Sequence, residues 1–254
     1  MAPKLELSRF RGAAASLVVA TALSCAPGMT AQSAPPRALV AASVEAAVAD
    51  ALAGRSDLGT VEVHAAATGS LARQVELGLA ADVFVSADSV WMQHLVESGH
   101  ASGSPVEIAG NRLAWVHRQP GRSLEAVAAD LVGCFAMPDP AAAPLRRYTR
   151  QALTGLEVWP LFEARAAGSA NARANAALLR RQDCPIGVVY ASDTGAFAEA
   201  VVIPIDPRLH DPIRYEVVGL ARGRPEVAER MIAALRDDAA RAAFARHGFA
   251  EGAS

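Results

Sequence analysis

The sequence has few cysteines, few aromatic residues and no strong excess of charge of either sign. It contains three cysteines and 5% aromatic residues in 254 positions, and its formal net charge is −2. Without a basic excess, the chain offers no electrostatic footprint for nucleic acid. Hydrophobic residues make up 52% of the chain, which predicts a globular protein with a substantial core.

Long apolar runs are also missing, apart from one near the N-terminus. Basic residues precede the apolar run Ala13–Cys25, and small residues follow it. This order is typical of an export signal, and the run is too short to be a comfortable membrane span. We therefore predict a signal peptide over residues 1–33 and a mature chain in the periplasm. A lipoprotein anchor at Cys25 is the alternative, although "ALSC" lacks the leucine usual three residues before such a cysteine.

Two cysteines remain in the predicted mature chain, Cys134 and Cys184. An oxidising compartment favours pairing of cysteines. Spacing alone does not establish the geometry that a disulfide needs. The sequence therefore leaves a Cys134–Cys184 disulfide open.

The sequence also lacks the motifs of common hydrolases and metal enzymes. Neither Gly-x-Ser-x-Gly nor His-Glu-x-x-His occurs, and the six histidines show no ligand spacing. Asp82 and Asp88 flank a predicted strand and could be mistaken for a carboxylate pair. We interpret Asp88 as a helix cap and Asp82 as part of a turn or of an inter-element hydrogen bond. We predict no catalysis, no protein-bound metal and no cofactor.

What the sequence does contain is a regular alternation of strands and helices. Apolar strands are predicted at 38–43, 60–66 and 81–88, and each is followed by a helical pattern. Further strands are predicted at 111–118, 134–140, 185–193, 200–205 and 213–221, and helices at 123–131, 145–156 and 170–181, with two more in the tail. This order predicts an α/β fold with a largely parallel sheet.

Hydroxyl groups stand where several of these strands end. Ser43 follows the first strand, Thr68-Gly69-Ser70 follows the second, and Tyr190 closes "GVVY". Ligands of open α/β sheets collect beyond the carboxyl ends of the strands. Taken singly, Ser43 and Thr68 are expected to cap helices. Together with free N–H groups of helix N-termini, these hydroxyls suit a small tetrahedral oxyanion, and Gly69 is expected to let the backbone approach closely.

Longer motifs resemble a known family. They are "ATGSLARQVELGLAADVFVSAD" at 67–88, "GNRLAWV" at 110–116, "VVYASD" at 188–193 and "RHGF" at 246–249. In this order they resemble the periplasmic molybdate-binding proteins of ABC transporters. The resemblance implies a type II periplasmic-binding-protein fold with two α/β lobes. Lobe 1 would comprise 36–114 plus 205–254, and lobe 2 would comprise 115–204, with crossovers near Leu113–His117 and Val202–Asp206.

The same resemblance implies a ligand site without a cationic side chain. The hydroxyls carried over are those of Ser43, Thr68 and Tyr190, and the main-chain donors fall on Leu145 and Ala172. The implied ligand is molybdate, and tungstate should bind nearly as well because it has the same charge and shape. The implied partner is an inner-membrane ABC permease, and the chain is expected to be a monomer.

The chain departs from the family pattern at Pro144-Leu145-Arg146-Arg147, where the family commonly has Pro-Ala-Gly. Leu145 would narrow the pocket, and Arg146 or Arg147 would add a guanidinium that suits phosphate, sulfate or an organic acid. The alternative is that both arginines lie on the solvated face of the helix. A third alternative is a sensory or adaptor protein that has kept the fold and lost the pocket.

Overall fold

Two mixed β-sheets, each flanked by helices, form the two lobes of the chain. The computed structural model describes residues 34–122, 124–139 and 143–252. The predicted signal peptide and Cys25 lie outside the described residues. Within the described ranges, no helix is both long enough and apolar enough to cross a bilayer.

The first sheet has the strand order β2-β1-β3-β10-β4. Its strands are β1 (Arg37–Ala41), β2 (Glu62–Ala66), β3 (Val83–Ser86), β4 (Ala101–Asn111) and β10 (Ile213–Leu220). Strands β1, β2 and β3 are parallel, whereas β10 pairs antiparallel with both β3 and β4. The flanking helices are α1 (Glu45–Leu52), α2 (Thr68–Glu76), α3 (Ser89–Glu97), α8 (Pro225–Ala234) and α9 (Asp238–Arg246).

The second sheet has the order β7-β6-β8-β5-β9. Its strands are β5 (Leu113–His117), β6 (Phe135–Pro138), β7 (Ala166–Ser169), β8 (Ile186–Tyr190) and β9 (Val201–Pro204). Its helices are α4 (Leu124–Ala129), α5 (Pro144–Gly155), α6 (Trp159–Glu163) and α7 (Ala172–Arg180), and 3-10 turns lie at Ala191–Phe197 and Pro207–Leu209. Strands β6, β7 and β8 are parallel, and β5 runs antiparallel to β8 and β9.

The chain passes between the sheets at Arg112, which separates β4 from β5, and returns after β9. The predicted lobe boundary at 114/115 therefore falls inside β5, whereas the boundary at 204/205 coincides with the end of β9. The two predicted crossover segments pair with each other in the second sheet, Ala114 opposite Pro204 and Val116 opposite Val202. This pairing joins the two connections between the lobes side by side.

The central strands are buried on both faces because helices cover each sheet from both sides. Every residue of β3 and β8 is buried, which explains their continuous apolar runs. In the second lobe, the rings of Trp115, Phe135 and Phe162 pack against one another with centroids 4.6–5.9 Å apart. These cores fix the positions of the strand ends, where the predicted hydroxyls lie.

Candidate functional site

A small cavity lies between the lobes, beyond the carboxyl ends of strands from both sheets. Its lining includes all five residues that the sequence indicated as ligand-binding, which are Ser43, Thr68, Leu145, Ala172 and Tyr190. Its volume is about 10 Å³, which is about the room that one water needs. The cavity therefore suits a compact guest that fits closely against its walls.

Ser43 enters the cavity from the turn between β1 and α1. The residue at the N-cap of α1 is Val44, and no side chain caps this helix. The expectation that Ser43 caps α1 is therefore wrong. Its hydroxyl oxygen instead accepts a hydrogen bond from the hydroxyl of Tyr215 at 3.0 Å, because the helix begins one residue later than predicted and the side chain turns toward β10.

Thr68 is the first residue of α2 and is 1% exposed. The N-cap of this helix is Ala67, which has no side-chain acceptor, so the expected capping role of Thr68 is also wrong. Its hydroxyl oxygen lies 3.5 Å from the main-chain N of Ala87, which donates to it. Both hydroxyl oxygens accept a hydrogen bond, and neither hydroxyl donates to another described residue, so both hydroxyl protons are available to a guest in the cavity.

Tyr190 ends β8 and brings a phenol to the cavity from the second lobe. Its side chain is fully buried, and its hydroxyl has no hydrogen-bond partner among the described residues. Burial, reinforced by the nearby Tyr215, raises its pKa well above the ordinary value, so the group stays a neutral donor. A buried hydroxyl without a hydrogen-bond partner lowers the stability of the fold. Such a group is expected where a bound ligand supplies the missing partner.

Leu145 and Ala172 contribute main-chain N–H groups rather than side chains. Leu145 is the second residue of α5, after Pro144, and Ala172 is the first residue of α7. First-turn N–H groups have no partner inside their own helix and carry the positive end of its dipole. The Asn171 side chain caps α7 by accepting from the N–H of Ala174 at 2.9 Å, which leaves the N–H of Ala172 for the cavity.

The two arginines of the alternative reading do not line the cavity. Arg146 stacks over the ring of Trp159, with its guanidinium carbon 5.7 Å from the centroid. Arg147 binds Asp88 at 2.8 Å and Asp211 at 2.9 Å. Arg147 is therefore held in ion pairs rather than lying on a solvated face, and no lysine or arginine is among the residues that line the cavity in the described chain.

Sequence reasoning missed two residues behind the cavity. Tyr215 of β10 donates to Ser43, and the side-chain amide of Asn111 donates to the Tyr215 hydroxyl at 3.3 Å. The sequence did not point to either residue, because contacts across 172 and 104 residues leave no local signal. Nearby, burial raises the pKa of Asp193 to about 6, which Arg173 and Arg180 partly oppose.

Three other sequence interpretations also meet the structure here. Asp88 caps α3 by accepting from the N–H of Val90, and Asp82 accepts from the main chain and side chain of Arg224, as expected. Gly69 does not line the cavity. A Cβ at Gly69 would lie 2.7 Å from the ring of Trp91, so the glycine is required by packing between α2 and α3, not by approach to a ligand.

Comparisons with known proteins show the family of the chain. A family model described as bacterial extracellular solute-binding protein matches residues 37–250. The molybdate-binding proteins ModA of Haemophilus influenzae and Escherichia coli are each 28% identical over 194 residues, which cover 72% of this chain and 76% of the relative.

The periplasmic molybdate-binding protein of Azotobacter vinelandii has a similar fold. The comparison gives a TM-score of 0.77, with 86% of this chain and 100% of that one covered, at 19% identity. At this identity the likeness shows the fold alone. The family match, however, spans both sheets and every residue that lines the cavity. The chain therefore belongs to the bacterial extracellular solute-binding proteins, which bind a small ligand for transport and are not enzymes.

Proposed function

We propose that the chain captures molybdate, and tungstate nearly as well, in the cavity between its lobes. After export to the periplasm it would deliver the anion to the membrane permease of an ABC transporter. The observation that carries the proposal is the buried Tyr190 hydroxyl, which lines the cavity without a partner among the described residues. The relatives named as molybdate-binding proteins support the same ligand.

The lining explains how a doubly charged anion would be held without a cation. An anion leaves water only if its oxygens find donors, because a buried charge without partners is very costly. Three hydroxyls and the first-turn N–H groups of α2, α5 and α7 surround the cavity. Hydrogen bonds to a charged group contribute about 1.5–3 kcal/mol each, so several that converge can replace the hydration shell.

Among the described residues, the lining of the cavity has no charged side chain, and its small volume disfavours bulky organic acids. An organic acid would need more room than a closely fitting tetrahedral ion. Neither Arg146 nor Arg147 reaches the cavity. The guanidinium groups that would favour phosphate or a carboxylate ligand therefore do not contact a guest there. Molybdate, tungstate and sulfate share charge and shape, so selection among them falls on size. Sulfate is smaller and would leave hydrogen bonds long or unmade.

Thermal unfolding with a panel of oxyanions, followed by titration calorimetry, tests the proposal. Molybdate and tungstate are expected to raise the melting temperature, with about 2.7 kcal/mol of stabilisation at a hundredfold excess over the dissociation constant. Sulfate and phosphate are expected to leave it unchanged. A shift with phosphate, sulfate or an organic acid but none with molybdate overturns the proposal.

Matched variants separate the cavity from the surface. Ser43→Ala and Thr68→Val each remove a lining hydroxyl and should weaken molybdate binding steeply. Ser104→Ala and Thr60→Val make the same chemical changes at exposed positions outside the cavity and should not. If the cavity variants bind as tightly as the surface variants, the ligand does not occupy this site.

A further inference from the structure

A chain of hydrogen bonds runs from Asn111 through Tyr215 to Ser43, behind the cavity wall. We propose that Tyr215, oriented by Asn111, is a positioning residue that holds the Ser43 hydroxyl as a donor to the anion. The site thereby favours fully deprotonated tetrahedral dianions over oxyanions that carry a proton. This inference rests on the proposed function of the cavity and adds a specificity determinant that does not itself line it.

The orientation of the Asn111 side chain is fixed by main-chain donors. The N–H of Arg112 donates to the Asn111 amide oxygen at 2.9 Å, and the N–H of Ser192 lies 3.4 Å from the same oxygen. A main-chain N–H can only donate, so this atom must be the oxygen. The amide nitrogen therefore faces the hydroxyls of Ser192 and Tyr215, at 3.0 and 3.3 Å.

The direction of the next hydrogen bond follows from this orientation. Because the Asn111 amide donates to the Tyr215 oxygen, the Tyr215 proton is free to point to Ser43, whose oxygen lies 3.0 Å away. Tyr215 is fully buried, and burial raises its pKa above the ordinary value, although the bonds to Ser43 and Asn111 oppose the rise. The phenol therefore stays protonated and remains a donor.

The Ser43 hydroxyl has one proton to donate, and this proton can point only toward the cavity. Its oxygen accepts from Tyr215, and its hydroxyl donates to no other described residue. A hydroxyl carries one donor, and Ser43 lines the cavity. The proton is therefore available to a guest in the cavity, and turning it away would break the bond with Tyr215 or leave the proton unpaired.

Several carbonyl oxygens that line the cavity already accept main-chain hydrogen bonds. The carbonyl oxygens of four lining residues each accept a main-chain N–H at 2.9–3.2 Å. These residues are Ala41, Ala66, Ala67 and Ala143. The Thr68 hydroxyl oxygen also accepts, from the N–H of Ala87. An oxyanion that retains a proton, such as hydrogen phosphate, would have to place that proton on an oxygen that already accepts a hydrogen bond, which weakens its binding relative to that of a dianion.

A double-mutant cycle tests the role of Tyr215. Tyr215→Phe keeps the ring that packs against Phe249 and removes only the hydroxyl. In the chain with native Ser43 it is expected to weaken molybdate binding about tenfold, since a hydrogen bond to a charged ligand loses its support. In the Ser43→Ala background the same substitution is expected to change the affinity less than about twofold, within the usual error of additivity.

The ratio of phosphate to molybdate affinity is a second measurement. It should not change if Tyr215 has only a structural role. In Tyr215→Phe the Ser43 hydroxyl can rotate and accept, so the ratio of phosphate to molybdate affinity is expected to rise above that of the unmodified chain. Thr149→Val is the control and should leave the ratio unchanged, because it removes a buried hydroxyl that neither lines the cavity nor bonds to Ser43. Asn111→Ala, which leaves both hydroxyls in place, should shift the ratio in the same direction as Tyr215→Phe.

The outcomes distinguish this inference from the function on which it rests. Equal loss of molybdate affinity in both backgrounds, with an unchanged phosphate ratio, overturns the positioning role and leaves molybdate capture standing. If the unmodified chain binds neither molybdate nor tungstate, the proposed function fails, and the inference fails with it. If Tyr215→Phe does not fold, the cycle is run with Asn111→Ala against Ser43→Ala and is judged by the same criteria.

Discussion

Among single residues, Tyr190 is the one at which the proposed function most directly links stability to binding. Its ring packs against that of Tyr215 in an edge-on contact, with centroids 6.4 Å apart. Its hydroxyl lies at the cavity and is unpaired among the described residues. The folded, ligand-free chain therefore bears the desolvation cost of this hydroxyl, and bound anion would relieve it.

Tyr190→Phe is expected to separate these two effects. The variant should bind molybdate about 10–100-fold more weakly, because one hydrogen bond to a charged ligand is lost. Without ligand it should unfold at the same or a slightly higher denaturant concentration, because the ring stays and an unsatisfied buried hydroxyl is removed. Titration calorimetry and urea unfolding measure the two quantities on the same preparation.

A loss of stability in Tyr190→Phe would contradict this prediction. A ligand-free Tyr190→Phe chain that is markedly less stable would mean that the hydroxyl has a partner within the fold. Tyr215→Phe provides the comparison, because its hydroxyl is bonded to Ser43 and Asn111, and its removal should lower the free energy of unfolding.

Single residues also show how far the sequence could predict the site. Ser43, Thr68, Leu145, Ala172 and Tyr190 were all indicated by motif resemblance, and they line one cavity. Tyr215 and Asn111 were missed because they act through a partner distant in sequence. Gly69 was misread because its neighbour Trp91 lies on the next helix. Local residue spacing predicts where strands end and which residues form turns. It does not predict contacts between elements that are distant in sequence.

At the scale of elements, the cavity depends on where helices begin. Helices α2, α5 and α7 all start at its wall, so their dipoles point toward one small volume. Parallel strands place those starts, since α2 follows β2, α5 follows β6 and α7 follows β7. The strong runs β1, β3 and β8 were predictable. Strand β7 ("AAGS") and the five-residue α6 were not, because neither has an apolar period long enough to recognise.

A disulfide between Cys134 and Cys184 joins two neighbouring elements of the second lobe. Cys134 precedes β6 and Cys184 precedes β8, and these strands pair in parallel. The link therefore lies at the amino ends of the strands, whereas Tyr190 lies at the carboxyl end of β8. Stability and binding should respond differently to its removal.

Reduction of this disulfide is expected to lower the free energy of unfolding without changing ligand affinity. The bond closes a sequence separation of 50 residues, and loops of this size give about 2–4 kcal/mol. Urea unfolding with and without dithiothreitol measures the loss, and calorimetry in the same buffers measures molybdate affinity. The double variant Cys134→Ser with Cys184→Ser controls for effects of the reductant. Lost affinity in both would mean that the link shapes the cavity.

At the scale of the whole molecule, ion pairs connect the lobes around the cavity. Arg147 of α5 binds both oxygens of Asp88, at 2.8 and 3.2 Å, and Asp88 is nearly buried at the start of α3. Arg173 of α7 binds Glu45 of α1 at 2.5 Å. Both pairs join a second-lobe helix to a first-lobe helix. They therefore stabilise the arrangement in which the donors of the two lobes meet.

Arg147→Gln is expected to weaken ligand binding although Arg147 does not line the cavity. If the lobes open and close around the ligand, the apparent dissociation constant rises as the closed fraction falls. Loss of a partly buried pair of about 1 kcal/mol then corresponds to about a fivefold weaker affinity. The dissociation rate should rise, and the radius of gyration of the ligand-free chain in solution scattering should increase.

The matched control is Arg181→Gln, which removes an exposed ion pair with Asp183 inside the second lobe. It should leave affinity, dissociation rate and radius of gyration unchanged. Added salt should narrow the difference between Arg147→Gln and the unmodified chain only partly, because the Asp88 carboxylate is shielded from solvent. Identical behaviour of the two arginine variants would show that the inter-lobe pair contributes nothing to closure, and that the packing around the cavity alone brings the lobes together.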